Sequence, residues 1–192
     1  DLFPAFPAEA ATHLDRYGLL VRNALKLKTK HARQLPYEIR DLSATLTDER
    51  DDFAPDYMTR PGPLAAYLHY FHPWNLYRLT RLFAGLPLAL PDNSLLADLG
   101  AGPLTVLTAL WLARPELRRR PLRFLCLDRA NKTLKLGLDI FRGLDPESPW
   151  NIRIEAEHLF KLPQLLGREK ADLITAANVL NELFGGPTGT RD

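Results

Sequence analysis

Apolar residues recur at helical spacing throughout the first part of the chain, and prolines divide the pattern. Proline disfavours helical geometry in the residue before it, so one predicted helix ends before Pro36 and another ends before Pro73. The predicted helices cover residues 8–34, 37–48, 61–71 and 73–86. Residues 1–90 are therefore predicted to form a helical region.

After residue 90 the pattern changes to short apolar runs that alternate with helical segments. These runs predict strands over 94–100, 122–128, 151–156 and 171–177. Helices are predicted over 103–114, 131–142, 159–167 and 178–184. Strands that alternate with helices indicate βαβ units and a parallel sheet. The chain is thus predicted to contain a helical region over 1–90 and an α/β domain over 91–192.

Composition and charge limit the class of protein. Hydrophobic residues make up 46% and charged residues 25% of the chain, as in ordinary globular proteins. The formal net charge is +2, so nucleic-acid binding depends on local patches. A single cysteine, Cys126, excludes a disulfide framework or a cysteine metal cage within this chain. No membrane span is expected, because no apolar run reaches roughly 18 residues.

Two glycines follow the first predicted strand, in the order Asp98-Leu-Gly100-Ala-Gly102-Pro103-Leu-Thr105. Parallel α/β sheets bind ligands at the carboxyl ends of their strands, and glycine lets the backbone approach a ligand closely. A dinucleotide loop needs a third glycine where this chain has Thr105, and Pro103 has no N–H for a phosphate. Asp98 suits a cationic ligand without phosphate, such as S-adenosylmethionine. Alternatively, the glycines only permit a tight turn.

The ends of the other predicted strands supply further polar side chains to the same edge. Asp128 follows the second strand, where a carboxylate can bind both ribose hydroxyls or support the next helix as a cap. Glu157 or His158 is placed to read the adenine amino group, or is an ordinary loop residue. Asn178 follows the fourth strand, beside the reactive methyl group. The predicted cofactor-binding residues are Asp98, Gly100, Ala101, Gly102, Asp128, Arg129, Glu157, His158 and Asn178.

Two clusters of cations are candidate contacts for RNA, because clustered cations displace counterions from a nucleic-acid backbone. One cluster lies near the end of the first predicted helix, and the other lies in a loop before the second strand that is expected to be exposed. For both, the alternative is an ordinary solvated surface. The predicted RNA-binding residues are Lys26, Lys28, Lys30, Arg118, Arg119 and Arg120.

The segment over 67–81, YLHYFHPWNLYRLTR, combines aromatic and basic side chains. Its rings are able to stack on bases while Arg78 and Arg81 meet phosphates. The spacing favours the alternative, a buried face that attaches the helical region to the sheet. That face comprises Tyr67, Phe71, Trp74 and Leu79. His69 and His72 are too isolated to suggest a metal site, and no metal is expected.

Together, Asp98-x-Gly-x-Gly, Asp128 and the segment ADLITAANVLNEL resemble the class I S-adenosylmethionine-dependent methyltransferase fold. Across 14–183, the segments LPYEIRDLSATLTDER, PDYMTRPGPLAAYLHYFHPWNLYRL and DLGAGPLTVLTALWLARPEL resemble the methyltransferase-like family linked to the small ribosomal subunit. The resemblance implies a Rossmann-like fold, S-adenosylmethionine as cofactor, and methylation of small-subunit ribosomal RNA or a role in subunit assembly. It implies the cytoplasm for a bacterial protein and the mitochondrial matrix for a eukaryotic one.

Two features depart from this family. Its members can carry a cysteine-ligated iron–sulfur cluster, which Cys126 alone cannot form. The fold also implies seven strands, whereas the pattern here predicts four. The chain is therefore expected to be a fragment with an incomplete sheet, truncated after the fourth strand.

Methyl transfer is an in-line displacement, so the protein mainly aligns a nucleophile with the methyl group. Attack through pyrimidine C5 needs a cysteine near the crevice, and none follows the fourth strand. Methylation of an exocyclic amine typically uses an acidic residue or Asn followed by Pro-Pro-aromatic, of which only Asn178 is present. Asn178 and Glu182 are the candidate catalytic residues, with no target atom indicated. The alternative functions are a non-catalytic, cofactor-binding assembly factor, a small-molecule methyltransferase and a nicotinamide-dependent oxidoreductase.

Overall fold

A computed structural model describes residues 1–27, 29–47, 57–177 and 179 of the chain. The helices are α1 Ala8–Asp15, α2 Tyr17–Leu25, α3 Thr29–Thr47, α4 Pro61–Ala66, α5 His72–Gly85, α6 Thr105–Ala113, α7 Asn131–Leu144 and α8 Leu162–Leu166. The strands are β1 Leu95–Leu99, β2 Arg123–Leu127, β3 Asn151–Glu155 and β4 Leu173–Thr175. Short 3₁₀ turns cover Tyr57–Thr59, Pro115–Leu117 and Leu159–Lys161, and a π-helical segment covers Tyr67–Phe71. Among these residues, no helix combines the length and hydropathy needed to cross a membrane.

In the described part of the chain, four strands form one parallel sheet in the order β3-β2-β1-β4. β1 lies between β2 and β4, so that Asp98 is opposite Cys126 on one side and Thr175 on the other. The prediction of an α/β fold with a parallel sheet is confirmed, and this strand order is Rossmann-like. Each predicted strand is present, with somewhat shorter bounds.

Helices cover both faces of the sheet, because successive strand residues point to opposite sides. Leu96, Phe124 and Cys126 belong to the same buried cluster as the apolar residues of α6 and α7. On the other face, Leu125 and Leu127 pack against apolar side chains of the short helix α8. This alternation is the doubly wound arrangement expected of βαβ units.

The N-terminal helices form a further layer over α6 and α7. α5 and α1 pack against α6, and α2 packs against α7. The Thr133 hydroxyl at the start of α7 donates to the Met58 carbonyl (3.2 Å). Buried apolar residues of both regions form one continuous cluster, so the helical region is packed directly on the α/β region. The division into two domains at residue 90 stays a prediction.

The first helices end at other residues than predicted. The predicted helix over 8–34 is divided into α1, α2 and the start of α3, and Lys26 at the end of α2 is left-handed, with φ 47°. α3 then continues through Pro36. Pro36 and Ala32, one turn earlier, are both exposed, so water can satisfy the carbonyl that receives no proline N–H. The predicted helix end before Pro36 is wrong for this reason.

The predicted break before Pro73 is also wrong. The π-helical segment joins α4 to α5, and in its wider turn the His72 N–H donates to the Tyr67 carbonyl. Pro73 then falls in the first turn of α5, and the changed hydrogen-bond spacing of the preceding π turn accommodates its missing N–H. His72 is fully buried and contacts the Tyr17 hydroxyl through Nδ1. Burial lowers the pKa of His72 to about 3, so this histidine is neutral at physiological pH.

Arg118, predicted to lie in an exposed basic loop, is buried. Its side chain is 11% exposed and pairs with Glu9 of α1. Its Nε donates to the Trp111 carbonyl (2.8 Å) and its Nη2 to the Leu112 carbonyl (3.4 Å). These carbonyls belong to the last turn of α6, which has no helical donors left for them. The prediction that Arg118 is exposed is therefore wrong, because its guanidinium joins α1 to the end of α6.

Replacing Arg118 with Ala should lower the free energy of unfolding by about 2–4 kcal/mol. The variant loses two helix-end hydrogen bonds and a cation–π contact, in which the guanidinium lies 4.0 Å from the Trp111 ring centroid. The neighbouring variant Arg120→Ala is a matched control. It loses one exposed ion pair with Asp92, for which we expect about 0.5 kcal/mol or less. Denaturant unfolding of both variants measures the difference, and equal small losses would contradict the assigned role of Arg118.

Candidate functional site

The strand order changes side at β1: β2 and β3 lie on one side of β1, and β4 lies on the other side. Such a switch point leaves a crevice at the carboxyl ends of the strands, where α/β proteins bind ligands. Residues 100–104 after β1, Asp128 after β2, and Ala176 and Ala177 after β4 lie at this edge. We call this edge the candidate site and residues 100–104 the glycine loop.

The glycine loop contains three residues with positive φ. Gly100 has φ +67° and Gly102 has φ +51°, a region that side chains rarely adopt. Leu104, with φ 57°, precedes α6, which begins at Thr105 instead of the predicted residue 103. A Cβ at Gly102 would meet no atom within 4 Å. Gly102 therefore faces open space at the edge where a ligand is expected.

Asp128 holds the glycine loop from the end of β2. Its Oδ2 accepts the Gly102 N–H (2.9 Å), and its Oδ1 accepts the Ala130 N–H (2.8 Å). Ala130 is the residue that precedes α7, so Asp128 supports the start of that helix without being its cap residue. A carboxylate has about four acceptor sites, which leaves acceptor capacity for a ligand. Helix support and ligand binding are thus compatible at Asp128.

Asp98 lies beneath the glycine loop and is 2% exposed. Its Oδ1 accepts a hydrogen bond from the Thr175 hydroxyl of β4 (2.7 Å). Its Oδ2 is buried and has no hydrogen-bond partner among the described residues. Burial is the main cause that raises the pKa of Asp98 to about 7; the Thr175 hydrogen bond opposes the rise and the negative charge of Asp128 adds to it. A buried acceptor without a donor lowers the stability of the fold. A cation at the candidate site would offset this loss by interacting with the Asp98 carboxylate.

The raised pKa of Asp98 predicts a stability that falls with pH. The folded protein keeps this proton up to about pH 7, whereas the unfolded chain releases it near pH 4. The contribution of the Asp98 proton to the free energy of unfolding is complete below pH 4. It is lost as the pH rises through about 7, by up to about 1.4 kcal/mol for each pH unit. Asp98→Asn should remove this contribution, as thermal unfolding between pH 5 and pH 8 will show.

The comparison of wild type with Asp98→Asn isolates Asp98 from other titrating groups. The pKa of His72 is lowered to about 3, so His72 makes the stability rise with pH below its ordinary pKa. This effect is the same in wild type and in Asp98→Asn. Cys126 faces Asp98 across the sheet, and its own pKa is raised by burial and then by Asp98, so it stays a thiol over this range. Identical pH slopes in the two proteins would contradict a buried, protonated Asp98.

Three further residues pack around Asp98 and the glycine loop, and the sequence motifs do not include them. Thr175 reaches Asp98 from β4, as described above. Gly137 of α7 packs under the loop, since a Cβ there would lie 2.3 Å from the Pro103 carbonyl carbon. Val179 lies against Gly100, where a Cβ would meet its Cγ2 at 2.5 Å. Only Gly137 has a signal in the sequence, a glycine in the middle of a predicted helix.

The other predicted cofactor-binding residues are less closely placed. Arg129 and Glu157 are exposed near Asp128 and after β3. The His158 Nδ1 accepts the Phe160 N–H (3.4 Å), so His158 caps the following 3₁₀ turn. Asn178 and Glu182 lie outside the described residues. The assignment of adenine recognition and of substrate contact therefore stays a prediction.

The predicted RNA-contacting cations are partly described. Lys26 is exposed at the end of α2, Lys28 lies outside the described residues, and for Lys30 the structure describes the backbone only. The side chains of Arg119 and Arg120 are 66% and 38% exposed, and each pairs with an aspartate. Apart from the burial of Arg118, RNA contact at these positions stays a prediction.

The described residues do not fit an iron–sulfur cluster. Cys126 is buried within β2, and no group of three or more His, Cys, Asp or Glu side chains in the described ranges is arranged to hold a metal ion. Two cavities of the described part of the chain are lined by residues outside the candidate site. One of about 130 Å³ is lined by residues that include Leu95, Arg123 and Leu165, and another of about 180 Å³ by residues that include Phe141 and Trp150.

Comparisons of the chain with known protein families, with curated proteins and with solved structures gave no significant match. What the structure itself supplies is a Rossmann-like parallel sheet with a glycine loop at its switch point.

Proposed function

We propose that the chain is a class I methyltransferase-like protein that binds S-adenosylmethionine at the candidate site. It acts on small-subunit ribosomal RNA or in the assembly of that subunit. The observation that carries the proposal is the buried Asp98 Oδ2, which has no hydrogen-bond partner among the described residues. A positively charged ligand compensates such a group, whereas a phosphate is repelled by it. The sulfonium and ammonium groups of S-adenosylmethionine are cationic, and the molecule carries no phosphate.

The hydrogen bonds of the glycine loop disfavour a dinucleotide. Pyrophosphate binds to free backbone N–H groups at the start of the helix. Here the Gly102 N–H already donates to Asp128, and Pro103 has no N–H. The Thr105 N–H donates to the Ala101 carbonyl (3.3 Å). The loop therefore offers few donors to a phosphate, and the Asp128 carboxylate lies beside it.

The residues present fit S-adenosylmethionine in three respects. Asp128 keeps acceptor sites for the two ribose hydroxyls, and Gly102 leaves room beside the loop. Asp98, when ionised, attracts the cationic end of the ligand across a medium of low dielectric. The bound cofactor supplies the methyl group. The protein's part is to fix its orientation toward the nucleophile.

The RNA partner is supported by the resemblance of the helical segments to the ribosome-linked family and by local cations on a chain of low net charge. Lys26 is exposed. Arg119 and Arg120 each pair with an aspartate, but their side chains are 66% and 38% exposed and keep further N–H donors for phosphate contacts. Such contacts make binding salt-dependent. A small-molecule methyltransferase is not expected to bind RNA with an affinity that depends on salt concentration.

The proposal is tested with S-adenosylmethionine that carries a labelled methyl group, incubated with the protein and with deproteinised small-subunit ribosomal RNA. We expect label in the RNA with wild type and none with Asp128→Ala. Cofactor binding without transfer would favour the non-catalytic assembly factor. Label in small molecules only would favour the small-molecule methyltransferase, and a protein that binds neither cofactor nor RNA would contradict the proposal.

A further inference from the structure

Two large aromatic side chains are exposed one helical turn apart, where the π-helical segment meets α5. Trp74 is 57% exposed and Tyr70 is 46% exposed. The spacing of the sequence places Trp74 on a buried face with Tyr67, Phe71 and Leu79. Those three residues do pack against the core, but the prediction for Trp74 is wrong. The wider π turn rotates the residues that follow it relative to those that precede it.

Arg78 continues this exposed surface by one further turn, and its guanidinium is held in a fixed direction. Nη2 of Arg78 donates to the Asn75 side-chain oxygen (2.5 Å), and the Asn75 amide donates to the Tyr67 hydroxyl (3.1 Å). Asn75 is 8% exposed, so the hydrogen bonds start from a rigid, buried group. Since a guanidinium has five N–H donors, Arg78 keeps further donors for an anion.

The same stretch of chain carries positive charge without negative charge. Residues 57–91 contain no Asp or Glu and include Arg60, Arg78 and Arg81. Arg81 is bound to the Pro4 and Phe3 carbonyls, whereas Arg78 is exposed one helical turn after Trp74. Flat rings beside a cation, without a carboxylate in the segment, are complementary to a polyanion that presents unpaired bases.

We propose that Tyr70, Trp74 and Arg78 form a platform for single-stranded RNA. The two rings stack on successive bases, and Arg78 contacts the phosphate between them. The inference rests on the proposed function only in that the partner is RNA; it does not depend on cofactor binding. A-form duplexes keep their bases stacked on each other, so the platform selects single strands.

The proposal is tested by fluorescence anisotropy with a labelled oligouridine and a duplex of the same length. Trp74→Ala and Tyr70→Ala should each weaken binding of the single strand about tenfold, and Trp74→Phe should recover most of the loss. Arg78→Gln should reduce the slope of log affinity against log salt by roughly 0.7. These side chains are exposed, so the variants are expected to fold, which thermal unfolding checks.

Tyr37→Ala is the matched control. Tyr37 is 62% exposed on α3, and the Arg40 guanidinium lies 5.8 Å from its ring centroid, but Glu38 and Asp41 flank it. We expect its affinity for RNA to equal that of wild type. An effect as large as that of Trp74→Ala would show that any exposed ring contributes, and would overturn the assigned platform.

Tryptophan fluorescence supplies a direct signature of stacking. Trp111 and Trp150 are 4% and 5% exposed, so quenching on addition of RNA reports on Trp74. The quenching should be present in wild type and in Arg78→Gln at saturating RNA, and absent in Trp74→Ala. Binding without any quenching in wild type would contradict stacking on Trp74.

The outcomes separate this inference from the proposed function. If wild type binds oligouridine but the three variants bind equally well, the platform is overturned while the RNA partner stands. If wild type does not bind oligouridine, the platform is overturned whatever the cofactor result. Titration with S-adenosylhomocysteine in parallel tests the cofactor site alone, and the platform variants should leave it unchanged.

Discussion

Replacing Asp128 with Ala is expected to weaken binding of S-adenosylhomocysteine by about 100-fold. The carboxylate is the proposed partner of both ribose hydroxyls, and two charge-assisted hydrogen bonds of about 1.5 kcal/mol each give a factor of this size. The same change removes the acceptor of the Gly102 N–H, so the loop also loses support. Isothermal titration calorimetry measures the affinity, and thermal unfolding measures the structural part of the effect.

Asp139→Ala is the matched control for this prediction. Asp139 is an exposed carboxylate in the middle of α7, whereas Asp128 lies just before the start of that helix. We expect its affinity for the ligand to stay within about twofold of wild type. Equal affinities of wild type, Asp128→Ala and Asp139→Ala would remove Asp128 from the site.

Replacing Gly137 with Ala is expected to destabilise the fold by about 1–3 kcal/mol. Helix propensity alone favours Ala over Gly in a helix by about 1 kcal/mol, so the sign of the effect is diagnostic. The added Cβ would lie 2.3 Å from the Pro103 carbonyl carbon and 2.5 Å from its oxygen. These are backbone atoms of the glycine loop, so either α7 or the loop must shift. Denaturant unfolding gives the free energy.

Gly143→Ala, on the same helix, is the control with the opposite expected sign. Its added Cβ meets one atom, the Leu20 Cδ2 at 3.2 Å, which is the end of a flexible side chain. We expect no loss of stability, or a gain of about 0.5–1 kcal/mol from helix propensity. If Gly137→Ala were stabilising to the same extent as Gly143→Ala, close packing of α7 under the loop would be excluded.

The α/β part of the fold is predictable because its signals are local and strong. β1 and β2 lie in short apolar runs bounded by turn residues, SLLADLG and LRFLCLD, and β3 alternates apolar and polar residues. Segments with helical spacing separate the strands. A buried parallel strand needs apolar residues on both faces, which sets it apart from an amphipathic helix. The strand order, with β4 beside β1, follows only from the three-dimensional pairing.

The helical region is harder to predict, because tertiary contacts override the effect of proline. Pro36 is tolerated within α3 at an exposed position, and Pro73 is tolerated because a π turn precedes it. No residue pattern in the sequence marks the π turn. Its consequence is the exposure of Trp74, which helical spacing places on the buried side.

The candidate site is also predictable only in part from the sequence. Asp98, Gly100, Gly102 and Asp128 are evident from their positions at strand ends, and the structure brings the loop and Asp128 into direct contact. Contacts across the sheet, such as that of Thr175 with Asp98, depend on register and leave no trace in the sequence. The burial of Arg118 is not evident from the sequence, because a run of arginines is typical of solvated surface.

The proposed function requires the glycine loop to bind a cationic, phosphate-free nucleoside. Isothermal titration of the wild-type protein with S-adenosylmethionine and, separately, with NAD⁺ at neutral pH shows whether it does so. We expect saturable binding of S-adenosylmethionine at one site and no binding of NAD⁺. Saturable binding of NAD⁺ without a response to S-adenosylmethionine would exclude the proposed ligand class.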